Sequence, residues 1–280
     1  MTAAVAVHAL TKSYGDNHAL RGIDFEIAAG EVFGLLGPNG AGKTTTVEIL
    51  EGYRNRDGGT VEVLGVDPQR AGGAWREQVG VVLQSSSLYP NLSVRESLNI
   101  FAAYYAHPRD AGEVCTIVGL DDKKNARVRT LSGGQKRRLD LGLALIGDPT
   151  LIFLDEPTTG FDPGARRQAW DTIRNLRELG KTVLLTTHYL DEAEQLADRV
   201  AVLRDGVIVR EGTPAELTGG AVETEIRYRA DGDVVVEHTS DPTRRLNELT
   251  AAALAKGETL EELTVRRPTL EDVYLELTGE

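Results

Sequence analysis

The sequence predicts an α/β fold built on a parallel sheet, and three stretches carry the prediction. A short apolar strand at 32–36 leads into a glycine-rich loop and then into a helix over 45–50. Two further apolar runs, 151–154 and 182–187, each end in polar or charged residues. Strands that are apolar throughout are typical of a sheet covered on both faces, whose carboxyl edge carries the ligands.

The glycine-rich loop fills every fixed position of the pattern G-x-x-x-x-G-K-[ST]. Its residues are Gly37, Pro38, Asn39, Gly40, Ala41, Gly42, Lys43 and Thr44. Between a strand and a helix, such a loop aims backbone N–H groups and a positive helix end at one point, which suits a triphosphate. We expect Lys43 to reach the β- and γ-phosphates and the Thr44 hydroxyl to complete the coordination of Mg²⁺. Thr45 completes the predicted nucleotide-binding set, and a chance glycine turn is the disfavoured alternative.

A second glycine-rich segment, hereafter the signature segment, opens the helix that contains the apolar run 139–146. It consists of Leu131, Ser132, Gly133, Gly134 and Gln135, and three basic residues follow it. A serine and two glycines at a helix start form another anion-binding site. One phosphate loop leaves this second site without an internal use, so we expect it to serve ATP held by another subunit.

Together the two motifs resemble the nucleotide-binding subunit of an ABC (ATP-binding cassette) transporter. The resemblance covers about residues 3–218 and implies a domain over 1–218 with a P-loop NTPase (RecA-like) core, an antiparallel β edge and a helical subdomain at about 87–148. It also implies ATP and Mg²⁺ as cofactors, a second ATPase subunit, expected to be another copy of the chain, and a separate polytopic membrane permease.

Two carboxylates, Asp155 and Glu156, end the apolar strand at 151–154. The resemblance implies that Asp155 holds Mg²⁺ and that Glu156 is the general base that polarises the attacking water. Both are needed because ATP hydrolysis is mainly positioning and charge neutralisation. Paired acids at a strand end are often only solvated turn residues, but the preceding buried strand and the glycine-rich loop favour the catalytic interpretation.

Two other catalytic candidates also follow apolar strands. His188 follows the strand 182–187 and matches the family's switch histidine, which contacts the γ-phosphate and orients the water and Glu156. Gln84 closes the strand 79–83 and matches the Q-loop glutamine, which contacts Mg²⁺ or the lytic water. Either residue type alone is a weak signal, and their order between the other motifs carries both assignments.

Two further assignments concern a contact with adenine and the family's D-loop. Tyr14 resembles the aromatic residue that stacks on adenine, and an ordinary strand tyrosine is the alternative. Residues 159–162 occupy the position of the family's D-loop, where Phe161 departs from the usual leucine. Asp162 is expected to act across the dimer interface, and with Pro163 it also makes a good helix start.

Composition and charge narrow the function classes. A net charge of −12 disfavours nucleic acid as a partner, because such binders usually carry a basic face. Apolar stretches fall short of the roughly 18–20 residues that cross a bilayer, and no secretion signal is visible. We therefore expect a peripheral protein at the cytoplasmic face of the membrane, held there by the permease. The single cysteine, Cys115, excludes an internal disulfide and is expected to be buried.

The segment after Gln84 carries a capping-box spacing at 93–96 and an apolar stripe. The stripe consists of Leu98, Phe101 and Tyr105, and packing against neighbouring helices is the favoured interpretation. The alternative is a groove for a short permease helix, which in the family docks here. That groove would be lined by Leu88, Tyr89, Leu92 and part of the stripe.

The last segment, 221–280, is predicted to be a small α+β accessory domain. Strands are expected at 222–229, 233–239 and 260–266, with a helix at 243–256 and a short closing helix. Residues 268–279 resemble the C-terminal signature of bacterial drug-resistance exporters of the daunorubicin-resistance type, which favours export over import. A simple amphipathic terminal helix is the alternative.

The predicted function is an ATP-hydrolysing subunit that powers a multi-subunit membrane exporter of a drug, antibiotic or lipid-like cargo. The alternative is a soluble ABC ATPase acting on ribosomes or in DNA repair, although such proteins usually carry two cassettes or long coiled coils. A GTPase or a small-molecule kinase would leave the signature segment unexplained.

Overall fold

The computed structural model describes residues 3–82, 88–218, 224–230, 233–266, 269, 270, 272 and 274. These residues divide into two compact units, Met1–Glu211 and Gly212–Glu280, each taken by itself below. Gln84 and most of the predicted closing helix lie outside the described residues.

The described strands and helices alternate through most of the chain. The strands are β1 Ala3–Tyr14, β2 Asn17–Ala28, β3 Val32–Leu36, β4 Gly58–Val63, β5 Val79–Val82, β6 Leu151–Asp155, β7 Thr182–Thr187, β8 Arg199–Arg204, β9 Val207–Gly212, β10 Thr224–Ala230, β11 Asp233–Thr239 and β12 Glu261–Arg266. The helices are α1 Lys43–Leu50, α2 Gly73–Arg76, α3 Val94–Ala102, α4 Ala111–Ile117, α5 Gly133–Leu145, α6 Pro163–Glu178, α7 Leu190–Leu196, α8 Pro214–Leu217 and α9 Pro242–Lys256. None of these helices is long and apolar enough to span a bilayer.

A central sheet with the strand order β5-β6-β7-β3-β8-β9 positions the motifs of the first unit. The pairings from β5 through to β8 are parallel. All side chains of β3 and β7 are buried, as the apolar runs predict. The register sets Leu36 opposite Thr187 and Asp155 opposite Thr186. The carboxyl ends of β3, β6 and β7 therefore meet at one edge, and with them the loops that follow.

A second sheet in this unit is antiparallel, with the order β2-β1-β4. Its inner side chains share one apolar cluster with β3 and with α1; Val7, Ile27, Phe33 and Ile49 are fully or almost fully buried members. Tyr14 pairs with Asn17 at the hairpin end of this sheet. The cluster fixes α1, and with it the phosphate loop, between the two sheets.

Helices α3, α4 and α5 pack on another apolar cluster of the first unit. Ser93 caps α3 in a capping box with Glu96, which confirms the predicted helix start. Leu98 is fully buried, and Phe101 and Tyr105 pack against the cluster, so the packing interpretation of the stripe is confirmed. The predicted burial of the cysteine is also confirmed.

The second unit contains an antiparallel sheet of order β11-β10-β12 together with α8 and α9. Ile226 and Tyr228 on β10 and Ala253 on α9 are buried, whereas β12 is exposed along its whole length. Helix α9 ends at Gly257, which adopts the left-handed conformation typical of a helix C-terminus. Residues 222 and 223 of the first predicted strand lie outside the described residues.

Candidate nucleotide-binding and hydrolysis site

The phosphate loop is shaped by close backbone approach. A Cβ atom on Gly37 would lie 2.3 Å from the carbonyl oxygen of Leu203, and one on Gly42 would lie 2.6 Å from that of Ala19. Gly42 also has a φ of +111°, which favours glycine. It forms the N-cap of α1 and, having no side chain, leaves the N–H groups of the helix start without a cap of the usual kind. An uncapped helix start in a tight loop is a site for an anion.

Lys43 folds back over this loop. Its side chain is buried, and Nζ donates to the carbonyl oxygens of Gly37 at 2.6 Å and Pro38 at 3.2 Å. Burial lowers the pKa of Lys43, and the negative charges of Glu156 and Asp155 counteract this shift. A buried ammonium group bonded to neutral carbonyls fits a position where phosphate oxygens would be bound.

Asp155 and Thr44 fit a magnesium site that relies on few protein ligands. The Oδ1 atom of Asp155 accepts a hydrogen bond of 2.5 Å from the Thr186 hydroxyl, which fixes the carboxylate at the end of β6. Thr44 is exposed in the first turn of α1. Among the described residues there is no cluster of three or more His, Cys, Asp or Glu side chains for a metal ion. Mg²⁺ usually keeps several waters and binds one or two carboxylates plus phosphate oxygens, so the oxygen donors of Asp155 and Thr44 are of the type that it accepts.

Glu156 is held in an unusual backbone conformation. Its φ is +44°, in the left-handed region that a residue with a side chain rarely adopts. Its N–H group donates to the carbonyl oxygen of Thr186 at 3.1 Å. Its carboxylate accepts a hydrogen bond from the Thr159 hydroxyl at 3.1 Å, and Oε1 lies 3.3 Å from Nδ1 of His188. The predicted base and the predicted switch histidine are therefore in contact.

His188 lies immediately after β7, with its side chain about one third exposed at 36%. Its ring centroid is 4.1 Å from that of Tyr189, whose N–H group donates to the Thr187 hydroxyl. These contacts orient the imidazole towards Glu156. The other predicted catalytic residue, Gln84, lies outside the described residues.

Tyr14 lies beside the start of α1. Its ring is 40% exposed, and its hydroxyl is 3.5 Å from that of Thr45. The Arg54 guanidinium group lies 5.2 Å and Lys12 Nζ 5.6 Å from the ring centroid. An accessible aromatic ring next to the phosphate loop is compatible with adenine stacking.

Sequence reasoning missed two groups that shape the site. Thr186 bonds both Asp155 and the Glu156 N–H group, and the parallel pairing of β6 with β7 is the signal that could have found it. Glu51, directly after α1, is the other. Burial, and then the charges of Asp155 and Glu48, raise the pKa of Glu51 to about 8. Nothing in the local sequence indicates that this carboxyl group lies near Asp155.

The signature segment forms a self-capped helix start. Helix α5 begins at Gly133, and the Ser132 hydroxyl accepts from the Gln135 N–H group at 3.3 Å while Gln135 Oε1 accepts from the Ser132 N–H group at 3.0 Å. Asp162 caps α6 through bonds of 2.9 Å from the N–H groups of Gly164 and Ala165, which confirms that predicted helix start. Ser132, Asp162 and Glu156 line the same open cleft. Leu131 is buried beneath the segment.

Comparison with known proteins identifies the family. The profile of ABC transporters matches residues 20–159. A Nod factor export ATP-binding protein I of Burkholderia orbicola is 42% identical, over 96% of this chain and 94% of the relative. The chain belongs to the ABC transporter family. A daunorubicin resistance ATP-binding protein, DrrA3 of Streptomyces coeruleorubidus, is 40% identical over 99% of this chain and 96% of the relative.

Solved structures agree with this family and its P-loop NTPase fold. A dimeric ATP-binding cassette in a post-hydrolysis state, bound to ADP and Pi, superposes with a TM-score of 0.66 at 27% identity, over 75% of this chain and 98% of that chain. The ABC transporter chain described here is an ATPase that powers a membrane exporter. The alternative of an ATPase acting on ribosomes or in DNA repair is not favoured, since both named relatives serve export or drug resistance.

Proposed function

We propose that two copies of this ABC ATPase face each other and hold ATP between the phosphate loop of one and the signature segment of the other. The observation that carries the hydrolytic role is the contact between Glu156 and His188 at 3.3 Å, at the sheet edge that also carries Lys43. The two-copy arrangement is supported by the solved relative that is dimeric with ADP and Pi.

The chain's own residues perform the binding and the proton handling in this proposal. The N–H groups at the start of α1 bind the β- and γ-phosphates, and Lys43 exchanges its carbonyl partners for phosphate oxygens. Glu156 accepts a hydrogen bond from the attacking water and polarises it, while His188 holds the carboxylate and the water in line. Thr44, Asp155 and Gln84 would hold Mg²⁺, which when bound would supply positive charge against the transferred phosphoryl group.

Binding of the γ-phosphate drives closure of the dimer. ATP offers its γ-phosphate to Ser132 and the α5 start of the opposing copy, whereas ADP offers only the part held by the phosphate loop. Asp162 contacts the opposing copy near the same nucleotide. Hydrolysis removes the shared ligand, so the two copies separate and the cycle restarts.

A permease completes the exporter. We place residues 1–218 as the ATPase domain at the cytoplasmic face of the membrane and residues 221–280 as its accessory domain. Tyr89, which lies between β5 and α3 along the chain and is 58% exposed, is available to a permease helix. The names of the relatives support a drug, antibiotic or lipid-like cargo.

Replacing the base tests the hydrolytic mechanism. In Glu156→Gln we expect unchanged ATP affinity, turnover lower by about 10²–10⁴-fold, and an ATP-dependent dimer detectable by size-exclusion chromatography. Glu178→Gln, at the exposed end of α6, is the matched control and should behave as wild type. Normal phosphate release by Glu156→Gln would refute the assignment of the base.

A further inference from the structure

Arg137 joins the helix of the signature segment to the backbone around the catalytic base. It lies on α5, two residues beyond Gln135. Its Nη2 atom donates to the carbonyl oxygen of Asp155 at 2.9 Å, and its Nε atom donates to that of Pro157 at 3.2 Å. One guanidinium group therefore binds the peptide carbonyls on both sides of Glu156.

The backbone at this point requires such support. A residue with a side chain in the left-handed region stores about 1–3 kcal/mol of strain and persists only where its surroundings hold it. Glu156 has a φ of +44°. Thr186 fixes its N–H group from β7, and Arg137 fixes the two flanking carbonyls from α5. The planar guanidinium group suits this task, because two of its donors point in fixed directions.

Arg137 occupies a position that is unfavourable for a charge. It lines a largely apolar cavity with Leu141, Leu154 and Ile173. Burial lowers the pKa of Arg137, and the charges of Asp140, Asp155 and Glu192 counteract this shift. An apolar side chain would fill such a cavity at lower cost, so the geometry favours a role that needs the two donors.

We propose that Arg137 is a positioning residue that holds Glu156 in its active conformation and makes that conformation depend on the signature helix. This inference rests on the two-copy function proposed above, in which the start of α5 binds the ATP of the opposing copy. Because a helix moves as a rigid unit, occupancy of Ser132 by that ATP adjusts the guanidinium group and, through it, Glu156. Each copy then hydrolyses its own ATP efficiently only when its signature segment holds the other.

Steady-state kinetics of the full chain, with the permease where the isolated chain is inactive, give the first test. For Arg137→Gln we expect kcat to fall by about 10- to 100-fold, as for other losses of alignment, with ATP affinity changed by less than about twofold. The dependence of rate on ATP concentration should lose its cooperativity. Arg137→Lys, which keeps the charge but not the fork, should recover only part of the rate.

Arg138→Gln is the matched control. Arg138 is the next residue of α5 and lines the same cavity, but it donates to the carbonyl oxygen of Gly119 at 2.7 Å rather than to the backbone beside Glu156. We expect its kcat and cooperativity to stay near those of wild type. Equal losses in Arg137→Gln and Arg138→Gln would overturn the proposal, because both would then report only general support of the helix.

Mixed dimers separate the two sites. One copy carries Arg137→Gln, and Glu156→Gln is placed either in the opposing copy or in the same copy. In the first dimer only the copy with Arg137→Gln keeps its Glu156. We expect this dimer to hydrolyse ATP at least about tenfold more slowly than a dimer that carries Glu156→Gln in one copy and no change at Arg137. In the second dimer the working Glu156 lies in the copy with Arg137. We expect this dimer to hydrolyse ATP as fast as the same reference dimer. A reversed pattern, or equal losses, would overturn the proposal.

Two other results, misfolding of the Arg137→Gln variant and absence of an ATP-dependent dimer, can be told apart from the outcomes above. If Arg137→Gln does not fold, Arg137→Lys takes its place in the same mixed dimers and is judged by the same pattern. If Glu156→Gln alone forms no ATP-dependent dimer, the proposed two-copy function fails first, and with it the inference about Arg137.

Discussion

The two helix starts that suit phosphate, those of α1 and α5, are constructed in opposite ways. The start of α1 is uncapped, lies in a loop where two glycines approach backbone carbonyls, and is covered by the buried Lys43. The start of α5 is closed by its own capping box, and a Cβ atom on Gly133 would meet nothing within 4 Å.

This difference shows which site the chain completes by itself. The phosphate loop has its donors and its cation in place, so we expect it to bind a nucleotide in a single copy. In the signature segment the side chains of Ser132 and Gln135 accept from each other's N–H groups, and Gly133 leaves open space beside them. A site for a ligand that another subunit holds needs open space that the chain's own packing does not use.

Alanine substitutions at the two sets of glycines would test this difference most strongly. Gly42→Ala combines a φ of +111° with an approach of 2.6 Å to the Ala19 carbonyl oxygen, so we expect a loss of about 2–5 kcal/mol in the free energy of unfolding. Gly133→Ala should stay within about 1 kcal/mol of wild type. Urea denaturation of both variants measures this, and equal losses would contradict the comparison.

The buried carboxyl group of Glu51, directly after α1, gives the next prediction. The pKa of Glu51 is raised to about 8, so the folded state binds this proton more tightly than the unfolded state. Its stabilising contribution is present below about pH 4.5 and is lost as the pH rises towards 8, with a slope of at most about 1.4 kcal/mol per pH unit. Glu51→Gln should reduce this loss in nucleotide-free, magnesium-free buffer. An unchanged slope of unfolding free energy against pH would refute it.

The capping boxes at the starts of α3 and α5 give the prediction with the smallest expected energy. Ser132→Ala and Ser93→Ala each remove an N-cap and should each cost about 0.5–2 kcal/mol in stability. In the Glu156→Gln background, only Ser132→Ala should abolish the ATP-dependent dimer, while ADP affinity stays normal in both. Dimers of equal strength in size-exclusion chromatography would show that Ser132 has no role beyond capping.

The sequence predicted those parts of the molecule that local pattern determines. Strands β3 and β7 have the predicted limits because each is a short run of apolar residues, flanked in β7 by β-branched threonines. The starts of α3 and α6 follow from Ser93 and Asp162. Helix α1 begins at Lys43 rather than at Thr45, since helix geometry extends into the loop. The roles assigned to the site residues stay predictions.

Features that depend on long-range contacts were not predictable. The left-handed backbone of Glu156 results from bonds to Thr186 and Arg137, which are distant along the chain. The raised pKa of Glu51 results from its burial beside Asp155. The partners in each contact are too far apart along the chain for a local sequence pattern or a residue propensity to indicate that they meet.

The sole thiol of the chain, Cys115, has a practical consequence. It is fully buried, and burial raises its pKa, so little reactive thiolate is accessible to reagents. Maleimide dyes or spin labels attached to newly introduced cysteines would therefore report on the chosen positions alone. Distances between paired probes could follow opening and closing in real time without first removing a native reactive group.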